Sequence, residues 1–369
     1  MTSFLISFVI SFLATMIVLR LAHHGHVPLD NDLTGVQKFH ARIVPRIGGL
    51  PLFIASISAG VITYYRDAAV GALILLLMAS SAVAFLAGLT EDLTGRVRAL
   101  HRLLLTMVSA AVGIYLLNAV VVRIDVVGLD MLMHYRWVAI PLTVVLVAGI
   151  ANAVNLIDGF NGLASVVTMF MLFSLGYVAW QVNDVFVMTA ALVIAGAIAG
   201  FLLWNYPFGL IFLGDGGAYF LGFMLAELAI LLVARNPQVS AWYPALLLVY
   251  PAFETVFSIY RRLLVRRTSP GMPDGIHLHS LIFRRIVRWA VGYHDARMIT
   301  RSNSLTSPYL WALSLLAVAP ATLFWRHPWM LLGFFLLFVL SYVWLYLRIV
   351  RFKVPGWMAI KRRNKSKYR

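Results

Sequence analysis

Long apolar runs alternate with short polar clusters along the whole of this chain. The runs fall near 3–21, 48–64, 69–89, 101–120, 137–157, 161–180, 185–203, 217–233, 241–260, 308–326 and 328–347. Each is of a length that crosses a hydrocarbon core of roughly 30 Å as a helix. The pattern predicts an all-α polytopic membrane protein of about eleven transmembrane helices, with one transmembrane domain over 1–350 and a basic tail over 351–369. The first run, SFLISFVISFLATMIVL, lacks the charged n-region and the small-residue cleavage signal of a secretory leader, so it reads as a retained helix. Gly and other small residues recur inside the runs, as in GALILLLMASSAVAFLAG. They suit close helix packing in a phase where apolar burial supplies little drive.

The polar segments give the direction of threading. Lys38, Arg42 and Arg46 precede the second run, Arg96, Arg98 and Arg102 precede the fourth, and the long segment 261–307 carries many more basic residues. The intervening loops are short or poor in charge. The positive-inside rule then sets the N-terminus outside and the basic C-terminus in the cytoplasm. On that map VQKFHARIVPRIGG, GLTEDLTGRVRALHR, NAVNLIDGFNGLA, NYPFGLIFLGDGGAY and PDGIHLHS all lie on the cytoplasmic face. A catalytic site built from distant loops has this distribution, whereas a transporter concentrates its polar groups near the membrane midplane on broken helices.

Composition narrows the classes. The 369 residues are 62% hydrophobic and 12% charged with a formal net charge of +16. The basic residues flank apolar runs instead of forming a soluble basic domain, so membrane lipids, and no nucleic acid, are the expected partners of that charge. The absence of Cys removes disulfides, Cys-ligated metals and thiol chemistry, and leaves the redox compartment open.

The clusters carry candidate chemistry. Glu91 and Asp92 are adjacent acids at a membrane boundary, where mutual repulsion and desolvation favour a cation or a hydrated cleft; an acidic helix cap is the plainer reading. Asp215 lies among Gly214, Gly216 and Gly217, which permit close backbone approach, and suits magnesium held against a diphosphate. Asn152, Asn155 and Asp158 recur every third residue and share one helical face, and Asn161 continues the polar run. Asp274, His277 and His279, preceded by Arg261, Arg262, Arg266 and Arg267, suit an anionic substrate better than zinc. Several of those arginines read equally as topology charges. Lys38, His40 and Arg46 form a further cationic group beside IGG. Together the clusters describe transfer at a phosphoanhydride, with a divalent cation, magnesium or manganese, neutralising developing charge.

These blocks resemble the polyprenyl-phosphate N-acetylhexosamine-1-phosphate transferases. That superfamily includes the bacterial undecaprenyl-phosphate GlcNAc-1-phosphate transferases and the phospho-MurNAc-pentapeptide translocases. The similarity runs in order from about residue 26 to 285. Lys38, His40 and PRIGGL look like the early family elements. The acidic pair falls on Glu91 and Asp92, with Glu where Asp is usual. The Asn-x-x-Asn-x-x-Asp-Gly block falls on Asn152, Asn155, Asp158 and Gly159, with Asn161 in place of a further Asp. Asn205 opens the Asn-x-x-Pro element NYPF, Asp215 lies in LGDGG with Ala218 where Ser is usual, and Asp274, His277 and His279 match the Asp and His-x-His element, with Ser280 where many members have a third His.

The resemblance implies an inner-membrane enzyme that transfers a sugar 1-phosphate from a UDP-N-acetylhexosamine to undecaprenyl phosphate, releasing UMP with magnesium as cofactor. It makes Asp92, Asp158 and Asp215 catalytic, with Asp215 and Asp158 at the metal. Lys38, His40, Arg46, Glu91, Asn152, Asn155, Asn161, Asn205, Arg261, Arg262, Asp274, His277 and His279 would serve substrate. Asp92 would position or activate the lipid phosphate. HLHS departs from the three consecutive His of the peptidoglycan branch, which favours the surface-polysaccharide and O-antigen branch, with UDP-GlcNAc as donor ahead of UDP-N-acetylfucosamine or UDP-N-acetylquinovosamine. The family also implies a homodimer. The competing classes are a lipid-phosphate transporter or scramblase and a nucleotide-binding protein without catalysis.

Overall fold

The computed structural model describes residues 1–25, 29–30, 44–266, 276–287, 296–352 and 358. Lys38, His40, Asp274 and nearly all of the basic tail lie outside the described residues. The described chain is almost wholly helical: α1 Thr2–His23, α2 Gly49–Arg66, α3 Ala68–Thr94, α4 Ala99–Leu117, α5 Asp130–Met133, α6 Arg136–Ile157, α7 Leu163–Gln181, α8 Val185–Asn205, α9 Gly214–Arg235, α10 Trp242–Leu247, α11 Val249–Tyr260, α12 Leu278–Ile282, α13 Ala296–Leu323 and α14 Pro328–Val350. Two residues of β1, Leu29–Asp30, pair antiparallel with β2, Val44–Pro45.

Among the described residues nine helices are long and apolar enough to cross a membrane. The two remaining apolar runs are also helical. The second run is the 18-residue α2, and the run over 241–260 is interrupted at Leu248 between α10 and α11. Pro251 lacks the amide that would bond back one turn, and its ring crowds that carbonyl, which accounts for an interruption there. α13 begins at Ala296, well before the apolar run expected at 308, because the polar stretch RSNSLTS continues the same helix.

The burial pattern is that of a protein in lipid. In α1 the buried stripe is Ser7, Ser11, Thr15, Val18 and Ala22, while Leu5, Val9, Leu13, Ile17 and Leu21 face outward at four-residue spacing. Small side chains let α1 lie close against α8, and Thr15 returns its hydroxyl to the Ser11 carbonyl, so the polar atom costs little. α9 occupies the centre, with every residue from Gly214 to Ala229 buried, against α3, α6, α2 and α7. Its position determines the site, because its N-terminus sits where the ends of α3, α6 and α8 meet the starts of α2 and α4.

Candidate active site

Backbone ladders bring the first site segment to α9. Phe212 N donates to Pro45 O at 3.0 Å, Gly48 N to Phe212 O at 2.9 Å and Gly49 N to Leu213 O at 2.8 Å. The PRIGG stretch therefore lies along the approach to α9, and Arg46 reaches Asp215 Oδ1 at 3.4 Å. The turn into α9 needs Gly214. Its φ is +76°, and a Cβ there would collide with Arg46 O and with Asp92 Oδ2, so no side chain fits.

Asp92, near the C-terminal end of α3, accepts from Asp215 N and Gly216 N, each at 2.8 Å. Both carboxylate oxygens are thus engaged by amides at the N-terminus of α9, where a negative charge is favoured by otherwise unpaired N–H groups and the helix dipole. In this arrangement Asp92 is the cap that sets Asp215. Glu91 accepts from Val97 N at 2.6 Å, closing the loop into α4 while still bordering the cavity.

Asp215 forms a second ion pair, with Arg102 Nη1 on its other oxygen. The guanidinium of Arg102 also lies over the Tyr219 ring at 5.8 Å, and Tyr219 OH donates to Asn152 Oδ1 at 3.1 Å. Sequence reasoning treated Arg102 as a topology charge. A signal for more was present, because Arg in the first turn of a helix opposes the macrodipole and wants an acid beside it.

Asp158 ends α6, its N–H bonded to Asn155 O at 3.1 Å. Burial is the main influence on its carboxyl and pushes its pKa up to about 7, against the opposing pull of Arg46. One cavity of about 400 Å³ is lined by Arg46, Glu91, Arg102, Asn155, Asp158, Asn161, Asn205, Asp215 and His279 together with Phe160 and Asn303. Asn161 and Asn205 also act as struts. Asn205 Oδ1 accepts from Gly162 N at 2.6 Å and its Nδ2 donates to Ile211 O at 2.7 Å. Asn161 N donates to Asn303 Oδ1 at 2.8 Å, and Ser307 Oγ donates to Asn161 O at 2.6 Å.

Not every expected residue faces the cavity. Asn152 is one helical turn away on Tyr219. His277 points inward, its Nδ1 3.1 Å from Glu254 Oε1. Arg261 is buried on aromatic rings and donates to Tyr346 OH at 3.0 Å, and Arg262 is not among the lining residues. Glu254 and Asn303 had no signal in the sequence, since an isolated Glu in an apolar run and an Asn in a polar stretch carry no motif.

Among the described residues no three His, Asp or Glu cluster as a closed metal cage. Asp158 and Asp215 nevertheless open on the same cavity beside the Asn155 amide. Magnesium is commonly held by one or two carboxylates, with water and substrate phosphates completing its shell, so this donor set fits such an ion. Arg46 and Arg102 add fixed positive charge for a polyanion.

The family model for glycosyl transferase family 4 matches residues 73–233, a stretch that contains Asp92, Asp158 and Asp215. The chain is 29% identical over 293 residues to the probable undecaprenyl-phosphate N-acetylglucosaminyl 1-phosphate transferase of Bacillus subtilis, covering 76% of this chain and 77% of that protein. It is 28% identical over 258 residues to the undecaprenyl-phosphate alpha-N-acetylglucosaminyl 1-phosphate transferase of Thermotoga maritima, covering 70% and 74%. It is also 28% identical over 293 residues to the phospho-N-acetylmuramoyl-pentapeptide-transferase of Caldicellulosiruptor bescii, covering 75% and 89%. A helical membrane bundle with an acidic and basic cavity at the helix ends is, on these matches, a transferase of the membrane-embedded kind. These matches support membership of the polyprenyl-phosphate sugar-1-phosphate transferase family.

Proposed function

We propose that this protein transfers N-acetylglucosamine 1-phosphate from UDP-GlcNAc to undecaprenyl phosphate on the cytoplasmic face of a bacterial inner membrane, beginning a surface polysaccharide or O-antigen chain. The observation that carries this reading is the convergence of Asp158, Asp215, Arg46, Arg102, Asn155 and His279, drawn from separate stretches of sequence, on one cavity. Relatives named for GlcNAc 1-phosphate transfer support the donor, and Ser280 in place of a third His argues against the peptidoglycan branch.

In the reaction an oxygen of the lipid phosphate attacks the phosphorus that bears the sugar. The bond from that phosphorus to the bridging oxygen breaks, and UMP leaves carrying that oxygen. Asp158 and Asp215 would hold magnesium, which supplies charge neutralisation at the diphosphate. Arg46 and Arg102 bind phosphate oxygens and balance the acids, His279 donates to the donor's anionic part, and Asp92 keeps Asp215 at the mouth of α9. The eleven-helix threading, the domain limits at 1–350 and 351–369, and a homodimer belong to the same proposal.

The test is the purified protein in detergent with magnesium, undecaprenyl phosphate and a panel of UDP-N-acetylhexosamines, reading UMP and lipid-linked product by mass spectrometry. The expected result is UMP release that requires both lipid and metal, with UDP-GlcNAc as donor. Turnover with UDP-N-acetylfucosamine or UDP-N-acetylquinovosamine alone would replace the sugar and keep the reaction. Lipid movement without UMP would replace the reaction with transport.

A further inference from the structure

Glu254 lies in a mostly apolar stretch of α11 with 0% exposure, yet three donors from two separate segments, the start of α12 and α14, meet on its carboxylate. His277 Nδ1 is 3.1 Å from Oε1, Leu278 N is 3.2 Å from the same oxygen, and Tyr342 OH of α14 donates to Oε2 at 2.6 Å. An ionised carboxylate only accepts, so this arrangement fixes the proton of His277 on Nδ1 and with it the orientation of the ring. His277 is itself 1% exposed. Its ring stacks on that of His279 with centroids 5.3 Å apart and planes 15° from parallel. His279 in turn meets Phe160 edge to face at 5.5 Å, beside Gly159, and forms part of the cavity wall.

We infer that Glu254 is a positioning residue for the reaction: through His277 it holds the imidazole of His279 in the wall that receives the UDP-sugar. The inference rests on the proposed reading of that cavity. A carboxylate buried this deeply is costly, and apolar side chains of similar volume commonly replace such groups without loss of stability, so packing alone gives no reason for an acid here. Orientation of a group that touches substrate does give one, since small displacements of such a group cost large factors in rate or binding.

The experiment uses the full chain in detergent with Glu254→Gln, Glu254→Asp and Tyr342→Phe. Tyr342→Phe removes a bond to the same carboxylate without touching His277 and reports the purely structural share. In Glu254→Gln the KM for the UDP-sugar should rise about tenfold with kcat changed less than about threefold, at a melting temperature close to wild type. Glu254→Asp should recover most of the loss, and Tyr342→Phe should lower the melting temperature with KM unchanged. Histidine-selective ¹⁵N spectra without substrate should show the His277 and His279 resonances moving together in Glu254→Gln. A wild-type KM in Glu254→Gln, or a His279 resonance that stays in place, overturns the inference. Wild-type protein that turns over no donor sinks the transferase reading, and the spectra then still decide the role of Glu254.

Discussion

Asp158 shows how one side chain couples stability to chemistry. Burial raises its pKa from the usual 3.8 to about 7, so between those values the folded chain keeps a proton that the unfolded chain releases. Folding stability contributed by this group therefore falls as pH rises from about 4 to 7, the reverse of a salt-bridged acid. Asp158→Asn should flatten that dependence: in chelator, wild-type protein loses melting temperature between pH 5 and pH 8, and the variant loses less. On the proposed function the same change should lower turnover by about a thousandfold or more, because it removes one of the two carboxylates proposed to hold magnesium. An unchanged melting profile would show that the carboxyl is better solvated than its surroundings indicate. The sequence made Asp92, Asp158 and Asp215 legible as a set, since polar residues beside apolar runs carry their own signal. It did not separate their roles. Asp92 and Asp215 are 123 positions apart, and only the fold reveals that one holds the backbone of the other. Arg102 was hidden for a related reason, because a basic residue at a membrane boundary already has a sufficient explanation in topology.

Among the elements, the loop between α4 and α5 is more ordered than its modest charge and lack of motifs suggested. Asp125 accepts from Ser240 Oγ at 2.8 Å, from Ala241 N at 2.6 Å and from Arg123 Nη1 at 2.6 Å, and so fastens the loop to the start of α10. Burial pushes its pKa up, but these bonds together outweigh it and hold the carboxyl below its usual 3.8. Its stabilising contribution is accordingly complete above about pH 4 and is lost as pH falls through the lowered value. Asp125→Asn is a clean probe, since the residue has φ +52° and Asn tolerates that conformation. The variant should be about 1–2 kcal/mol less stable at pH 7, measured by denaturant midpoint, with the deficit shrinking as pH falls through the lowered pKa of the carboxyl. A deficit that persists in acid would mean that the amide fails on shape instead of charge. Helix existence was legible throughout because apolar runs are long and lipid allows little else. Element ends were less so: α13 extends back to Ala296 through residues too polar to read as membrane helix, and the break at Leu248 lies inside a run whose hydropathy gives no sign of it.

On the scale of the whole molecule the helices alternate in direction, so that the starts of α2, α4 and α9 and the ends of α3, α6 and α8 gather at one end of the bundle, away from the Asp125 loop. The chain has no Cys, which provides a silent background for labelling. Val127→Cys, at a position 97% exposed in that distal loop, should react with an impermeant maleimide added outside spheroplasts, and Arg96→Cys, exposed at the cavity end, should react only after lysis. The opposite pattern would put the cavity outside the cell and remove the cytoplasmic UDP-sugar from consideration. The joining of Asn161 to Asn303 and Ser307 has a further consequence in time. A ribosome still translating α13 has already delivered all three aspartates into the membrane, but one wall of the cavity has not yet been made. Nascent chains and truncated products ending before residue 303 therefore carry the acids without a closed site, so the cavity is completed only late in synthesis.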